Sequence, residues 1–150
     1  MTIRRDHDNM SVAANSAVKE SAWRMASNLL FALTIINVGA VMLTASTFST
    51  LFMITTIVNI ALALGLRQMQ SWGRILTVAR CLLGIALAVA VAATQGAYLD
   101  AVVTTLLLAG IALPILGPPR KAKSLVGAGL FTLGGVATVI ALLSSLVAVG

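Results

Sequence analysis

The sequence predicts an all-α integral membrane protein with five transmembrane helices, its N-terminus in the cytoplasm and its C-terminus outside. Three observations predict it. The 150 residues are 59% hydrophobic and only 9% charged, with a mean hydropathy of +1.04, whereas a soluble domain devotes about a quarter of its residues to charge. The apolar residues fall into runs long enough for helices that cross hydrocarbon, which takes about 20 residues each. The ten cations fall on alternate connecting segments, as expected when Lys and Arg stay on the cytoplasmic side.

The turn Gly117–Pro118–Pro119–Arg120–Lys121–Ala122–Lys123 fixes the reading of the second half. Proline in a helix interior lacks a donor and clashes with the preceding turn. Clustered cations do not lie in hydrocarbon. This stretch is therefore a loop in water, and the apolar runs on either side are separate helices.

Residues 1–21 form a polar cytoplasmic tail containing Arg4, Arg5, Asp6, His7, Asp8, Lys19 and Glu20, helical from about Ser11 as it nears the membrane. A cleaved signal peptide is disfavoured, because Leu43 is too bulky for a small-x-small cleavage site at Thr44–Ala45–Ser46. Residues 22–150 form the membrane domain. Its first span covers residues 25–45, opened by Trp23 and Arg24. A polar hinge at Ser46–Thr47–Phe48–Ser49–Thr50 turns the chain into a second span over residues 48–66. The loop from Arg67 to Arg74 leads to a third span over residues 75–93. The Gly96 loop leads to a fourth over residues 98–116, and the basic turn to a fifth over residues 124–149.

The charges test this count. The tail carries Arg4, Arg5, Lys19 and Arg24, the second loop region carries Arg67, Arg74 and Arg80, and the fourth loop carries Arg120, Lys121 and Lys123. The first hairpin, the third loop and the C-terminal end carry none. Merging the first two runs would break this alternation. The same arrangement places Trp23 and Trp72 at the inner interface and Tyr98 at the outer one, where amphipathic rings prefer to lie.

Ionisable residues inside a membrane are functional candidates by default. Arg80 lies roughly 9 Å along the third helix beyond Arg74, at 1.5 Å per residue. It is either a buried cation that binds an anion or partner, or a long side chain snorkelling to the inner headgroups. Asn37 and Asn59 are the deep amides, and both need partners in hydrocarbon. Asn59 stands at about the depth of Arg80, so Asn37, Asn59 and Arg80 form a candidate polar membrane cluster between the first three helices. Interhelix hydrogen bonding is the plainer account of them. Asp100 is expected to cap the fourth helix, and Pro114 to distort its end.

Small residues on one helix stripe let backbones approach closely in lipid. On the fifth helix Gly127, Gly134, Ala137, Ala141, Ser144 and Ala148 form such a stripe, interrupted by Leu130; Gly84, Ala88 and Ala92 form a shorter one on the third. The stripe is a candidate packing seam, used either within the chain or against a second copy or another subunit.

Nucleophile triads, phosphate loops and metal-ligand spacings are absent from the sequence, which has one cysteine and one histidine. No cofactor, metal or catalytic residue is expected. Although the charge is +6, the topology accounts for the cations, and nucleic acid is not expected as a partner. Pieces of the chain, Asn37–Val38–Gly39 and Ser46–Thr47–Phe48–Ser49–Thr50, look like motifs of the small fluoride channels. In that family they lie on helices well apart in sequence and follow a Gly-rich first helix with an Arg that is missing here, so no residue role is taken from it.

The expectation is a non-catalytic multi-pass protein of the cell (inner or plasma) membrane. It acts as an accessory or scaffolding subunit through helix–helix contacts, with lipid and other membrane subunits or its own copies as partners. A small channel or carrier for an uncharged or anionic solute, using Asn37, Asn59 and Arg80, is the alternative from another class. An immunity or pore-regulating membrane protein is a third.

Overall fold

The computed structural model describes residues 3–43, 50–118 and 120–149; the side chains of residues 3–13 and of a few others, Ala148 among them, lie outside the description. Among the described residues there are five α-helices, one short 3-10 turn and no strand. The helices are α1 (Ile3–Leu43), α2 (Thr50–Arg67), α3 (Ser71–Gln95), α4 (Tyr98–Ala112) and α5 (Lys121–Val149), with the 3-10 turn over Leu113–Ile115.

Four helical segments among the described residues are long and apolar enough to cross a membrane: Ala14–Met42, Ser71–Gln95, Tyr98–Ile115 and Lys121–Ser144. The second of the five expected spans is the shorter one. Its apolar stretch among the described residues is Phe52–Arg67, or about 24 Å at 1.5 Å per residue, less than the ~30 Å of hydrocarbon. Most of the expected polar hinge, and the ends of the first two spans that adjoin it, lie outside the described residues. The tail also differs from expectation at its start, since α1 is helical from Ile3 rather than from Ser11.

Short connections make sequential helices antiparallel neighbours. Consecutive helices pack together, and α5 returns to contact α1. The α2–α3 turn is tight because two glycines let the backbones touch. A Cβ on Gly73 would stand 2.7 Å from the backbone carbon of Gly65, and one on Gly65 would stand 2.7 Å from the Trp72 ring. Helix α3 ends at Gly96, whose left-handed φ of 72° lets its N–H reach the carbonyl of Ala92. Pro114 acts as expected: α4 ends at Ala112 and the last turn tightens into 3-10 geometry.

The core is narrow and lies along the helix seams. From α1 it takes Ala22, Trp23, Ala26, Leu30 and Leu33; from α2, Leu62, Ala63 and Leu66; and from the other helices Cys81, Leu107, Leu108, Ile111 and Phe131. Trp23 turns inward, only 5% exposed; the neighbouring Lys19 ammonium sits 5.1 Å from its ring centre. The outer faces are apolar as well. Leu82, Leu83 and Leu87 on α3 and Leu125, Leu133, Val136, Ile140 and Leu143 on α5 are all exposed. So much exposed aliphatic surface on nearly every helix suits hydrocarbon rather than water. The chain is thus an all-helical protein built as multi-pass membrane proteins are.

Candidate functional site

Side chains with hydrogen-bonding needs inside an apolar bundle must meet one another or the backbone. Ser27 on α1 does so across a helix interface, donating to the carbonyl of Ala63 on α2 over 2.8 Å. Thr34 and Thr77 bond back within their own helices, to the carbonyls of Leu30 and Gly73. These contacts satisfy donors and fix neighbours, and leave no free chemistry.

The Asn59–Arg80 part of the expected cluster forms. Arg80 Nε donates to Asn59 Oδ1 over 2.7 Å. Asn59 is 1% exposed, and its Nδ2 is buried without a hydrogen-bond partner. Helix arithmetic explains the meeting. Asn59 lies about 12 Å from the Arg67 end of α2, and Arg80 about 13 Å from the Ser71 start of α3. The two helices are joined by a tight turn, so those depths coincide. A guanidinium tied through Nε to a residue at its own level is anchored there, which argues against snorkelling as the account of Arg80.

Asn37 joins the pair differently. It is hydrogen-bonded to neither; instead it lines a cavity of about 200 Å³ that Arg80 also lines. The other walls are Leu33 from α1, Gly84 from α3, and Thr104, Leu107 and Leu108 from α4. Thr104 is the residue that sequence reading missed. Its only signal is a hydroxyl within an apolar run, which helices carry commonly by bonding back to their own carbonyls. Its place opposite Arg80 depends on how α3 and α4 pack.

The expected packing seam is divided. Gly127 and Gly134 are used inside the chain. A Cβ on Gly127 would lie 2.7 Å from the carbonyl oxygen of Gly110 and 2.9 Å from Pro114 Cδ, and one on Gly134 would lie 2.9 Å from Leu107 Cγ. Ala137 is half-buried, whereas Ala141 and Ser144 are exposed. Ala148 lies outside the described side chains. On α3, Gly84 faces α4, with Leu108 Cδ1 2.6 Å from where a Cβ would stand.

Asp100 is not a helix cap. The N-cap of α4 is Ala97, with no side-chain cap bond, and Asp100 falls within the first turn. There its charge complements the positive end of the helix. Two loop cations have a structural role beyond charge bias. Arg74 Nε donates to the carbonyl of Ile115 over 3.0 Å, and Lys123 Nζ to that of Leu116 over 3.0 Å. Both supply donors to carbonyls that the end of α4 leaves free. These bonds, with the Ser27–Ala63 contact, gather Arg24, Arg67, Arg74 and the basic turn at one end of the bundle.

Among the described residues no three His, Cys, Asp or Glu come together as a metal site would require. The only cysteine, Cys81, is a buried free thiol. The site is therefore a polar, positively charged lining within an apolar bundle. No protein-family model, curated protein or solved structure matches this chain.

Proposed function

We propose that this chain is a non-catalytic subunit of the cell (inner or plasma) membrane. It crosses the bilayer five times with its N-terminus cytoplasmic and C-terminus outside, and acts through helix–helix contacts in a larger assembly. The observation that carries this reading is the division of the α5 stripe. Its first half, Gly127 and Gly134, is spent on α4, while Ala141 and Ser144 remain on the outside of the bundle. Small exposed residues in continuation of a used seam give a second helix somewhere to approach. Alternating loop charge supports the orientation. The shorter α2 still serves as a span when flanking residues snorkel or the bilayer thins locally.

The test is purification in mild detergent, with identification of what co-purifies. A141L and S144L together are expected to release a companion subunit or dissociate a homo-oligomer without lowering thermal stability. A wild-type monomer with no companion would sink this reading.

The Arg80 cavity favours a second reading, a small channel or carrier for an uncharged or anionic solute. Its test is flux in liposomes from the purified chain, lost in R80M.

A further inference from the structure

The sequence has four acidic residues, Asp6, Asp8, Glu20 and Asp100. Glu20 is engaged by Arg24 at 2.9 Å. Asp6 and Asp8 belong to the start of α1. Asp100 is an exposed residue of the first turn of α4, about 6 Å along the axis from Thr104 on the side away from Arg80. None of the helix segments around the cavity carries a carboxylate, and Arg80 makes no ion pair among the described residues. Arg80 is half-buried, and moving a charge out of water is costly unless it is paired. Asn59 supplies a dipole through its oxygen but no charge.

Beside this cation lies the cavity of about 200 Å³, several times the ~30 Å³ share of one water molecule. Two polar side chains line it besides Arg80: the Asn37 amide from α1 and the Thr104 hydroxyl from α4. Neither makes a side-chain hydrogen bond among the described residues. Both have protons to donate, and Arg80 retains its terminal N–H groups once Nε is committed to Asn59. The remaining walls, Leu33, Gly84, Leu107 and Leu108, are apolar and lower the local dielectric. Polar side chains from three helices therefore line one small volume that carries a single formal positive charge.

We infer that the cavity between α1, α3 and α4 binds a small monovalent anion, of halide or nitrate type, held by Arg80 with Asn37 and Thr104. Charge balance selects the valence, since one negative charge neutralises Arg80 and a second would be left uncompensated in hydrocarbon. Asn59 is a positioning residue that fixes the guanidinium through Nε. The inference rests on the membrane-spanning reading above. Release of the chain by alkaline carbonate would sink that reading. An anion-independent stability in a chain that stays in the membrane pellet would sink only this one.

The experiment is thermal unfolding of the purified full chain in mild detergent, followed by intrinsic tryptophan fluorescence. Sodium chloride, bromide, nitrate, sulfate and gluconate are compared at constant ionic strength and pH. Binding to the folded state raises Tm saturably, and a rise of about 3 °C or more over gluconate is expected for chloride, bromide or nitrate. R80M is expected to show one Tm in all salts. N59D, which gives Arg80 a carboxylate of its own, is expected to lose the response as well. T104V and N37L, which keep Arg80, should raise the half-saturating concentration about tenfold and preserve the fold if R80M does not. Equal wild-type Tm in every salt, or a half-saturating concentration unchanged in T104V and N37L, would overturn the inference. So would a larger shift with sulfate, or a stoichiometric companion protein lost in R80M without any anion response.

Discussion

Arg80 on α3 donates its Nε proton to Asn59 on α2 across 2.7 Å, and that bond holds a positive charge at the middle level of two packed helices. It is an interhelix contact, and it ties down a residue that lines the candidate site. Hydrogen bonds to charged groups contribute about 1.5–3 kcal/mol, while interhelix bonds in membranes average about 0.6 kcal/mol. N59L is therefore expected to destabilise the chain by roughly 1–3 kcal/mol. The N59L/R80M cycle should return a coupling of more than about 0.5 kcal/mol. Additive losses in detergent unfolding would mean that the two residues act independently.

The α4–α5 contact makes a sharper packing prediction. At Gly127 an added methyl group meets both the Gly110 carbonyl and the Pro114 ring, while at Gly129 nothing lies within 4 Å. G127A should cost about 1–3 kcal/mol as an overpacked substitution. G129A should be neutral or gain up to about 1 kcal/mol from helix propensity. Matched unfolding curves for the two variants would contradict the seam.

Arg74 and Lys123 are expected to show two separable roles. R74Q and K123Q remove donors from the carbonyls of Ile115 and Leu116, so hydrogen exchange in residues 113–118 should accelerate several-fold. Each variant leaves most of the cations at that end in place, so orientation should be unchanged. Reversal of orientation by R74Q alone would show that the count of loop charges had been misjudged.

Orientation itself is checked by cysteine labelling, because the only native cysteine, Cys81, is buried. In a C81A background, Q70C should react only from the cytoplasmic side, and A97C only with an impermeant reagent applied outside. A reporter fused after Gly150 should lie outside. A cytoplasmic reporter there would remove the fifth crossing.

Much of the helical order is legible because it depends on local chemistry. The Gly96 loop and the basic turn end helices where glycine's left-handed conformation and proline's missing donor require it. The third, fourth and fifth apolar runs become α3, α4 with its 3-10 end, and α5. Cap assignment is less legible: Asp100 is displaced by Ala97, because where α4 starts depends on the turn that Gly96 makes. The continuation of α1 back to Ile3 is likewise hidden, since its polar residues leave no apolar stripe to read.

The candidate site divides along the same line. Depth along a helix is arithmetic on residue number, so the pairing of Asn59 with Arg80 is visible once α2 and α3 are recognised as a hairpin. Direction around a helix and distance between helices come from packing. Only the tertiary structure turns Asn37 and Thr104 to a shared cavity, sets Trp23 inward, and spends Gly127 and Gly134 on α4 while leaving Ala141 and Ser144 outside. The sequence by itself determined that these helices are apolar, where they break and which segments carry charge, because those properties belong to single residues and their nearest neighbours. Which faces meet was decided by the close approach of backbones at glycine and by the need to pair polar groups across helices, and neither belongs to any one segment alone.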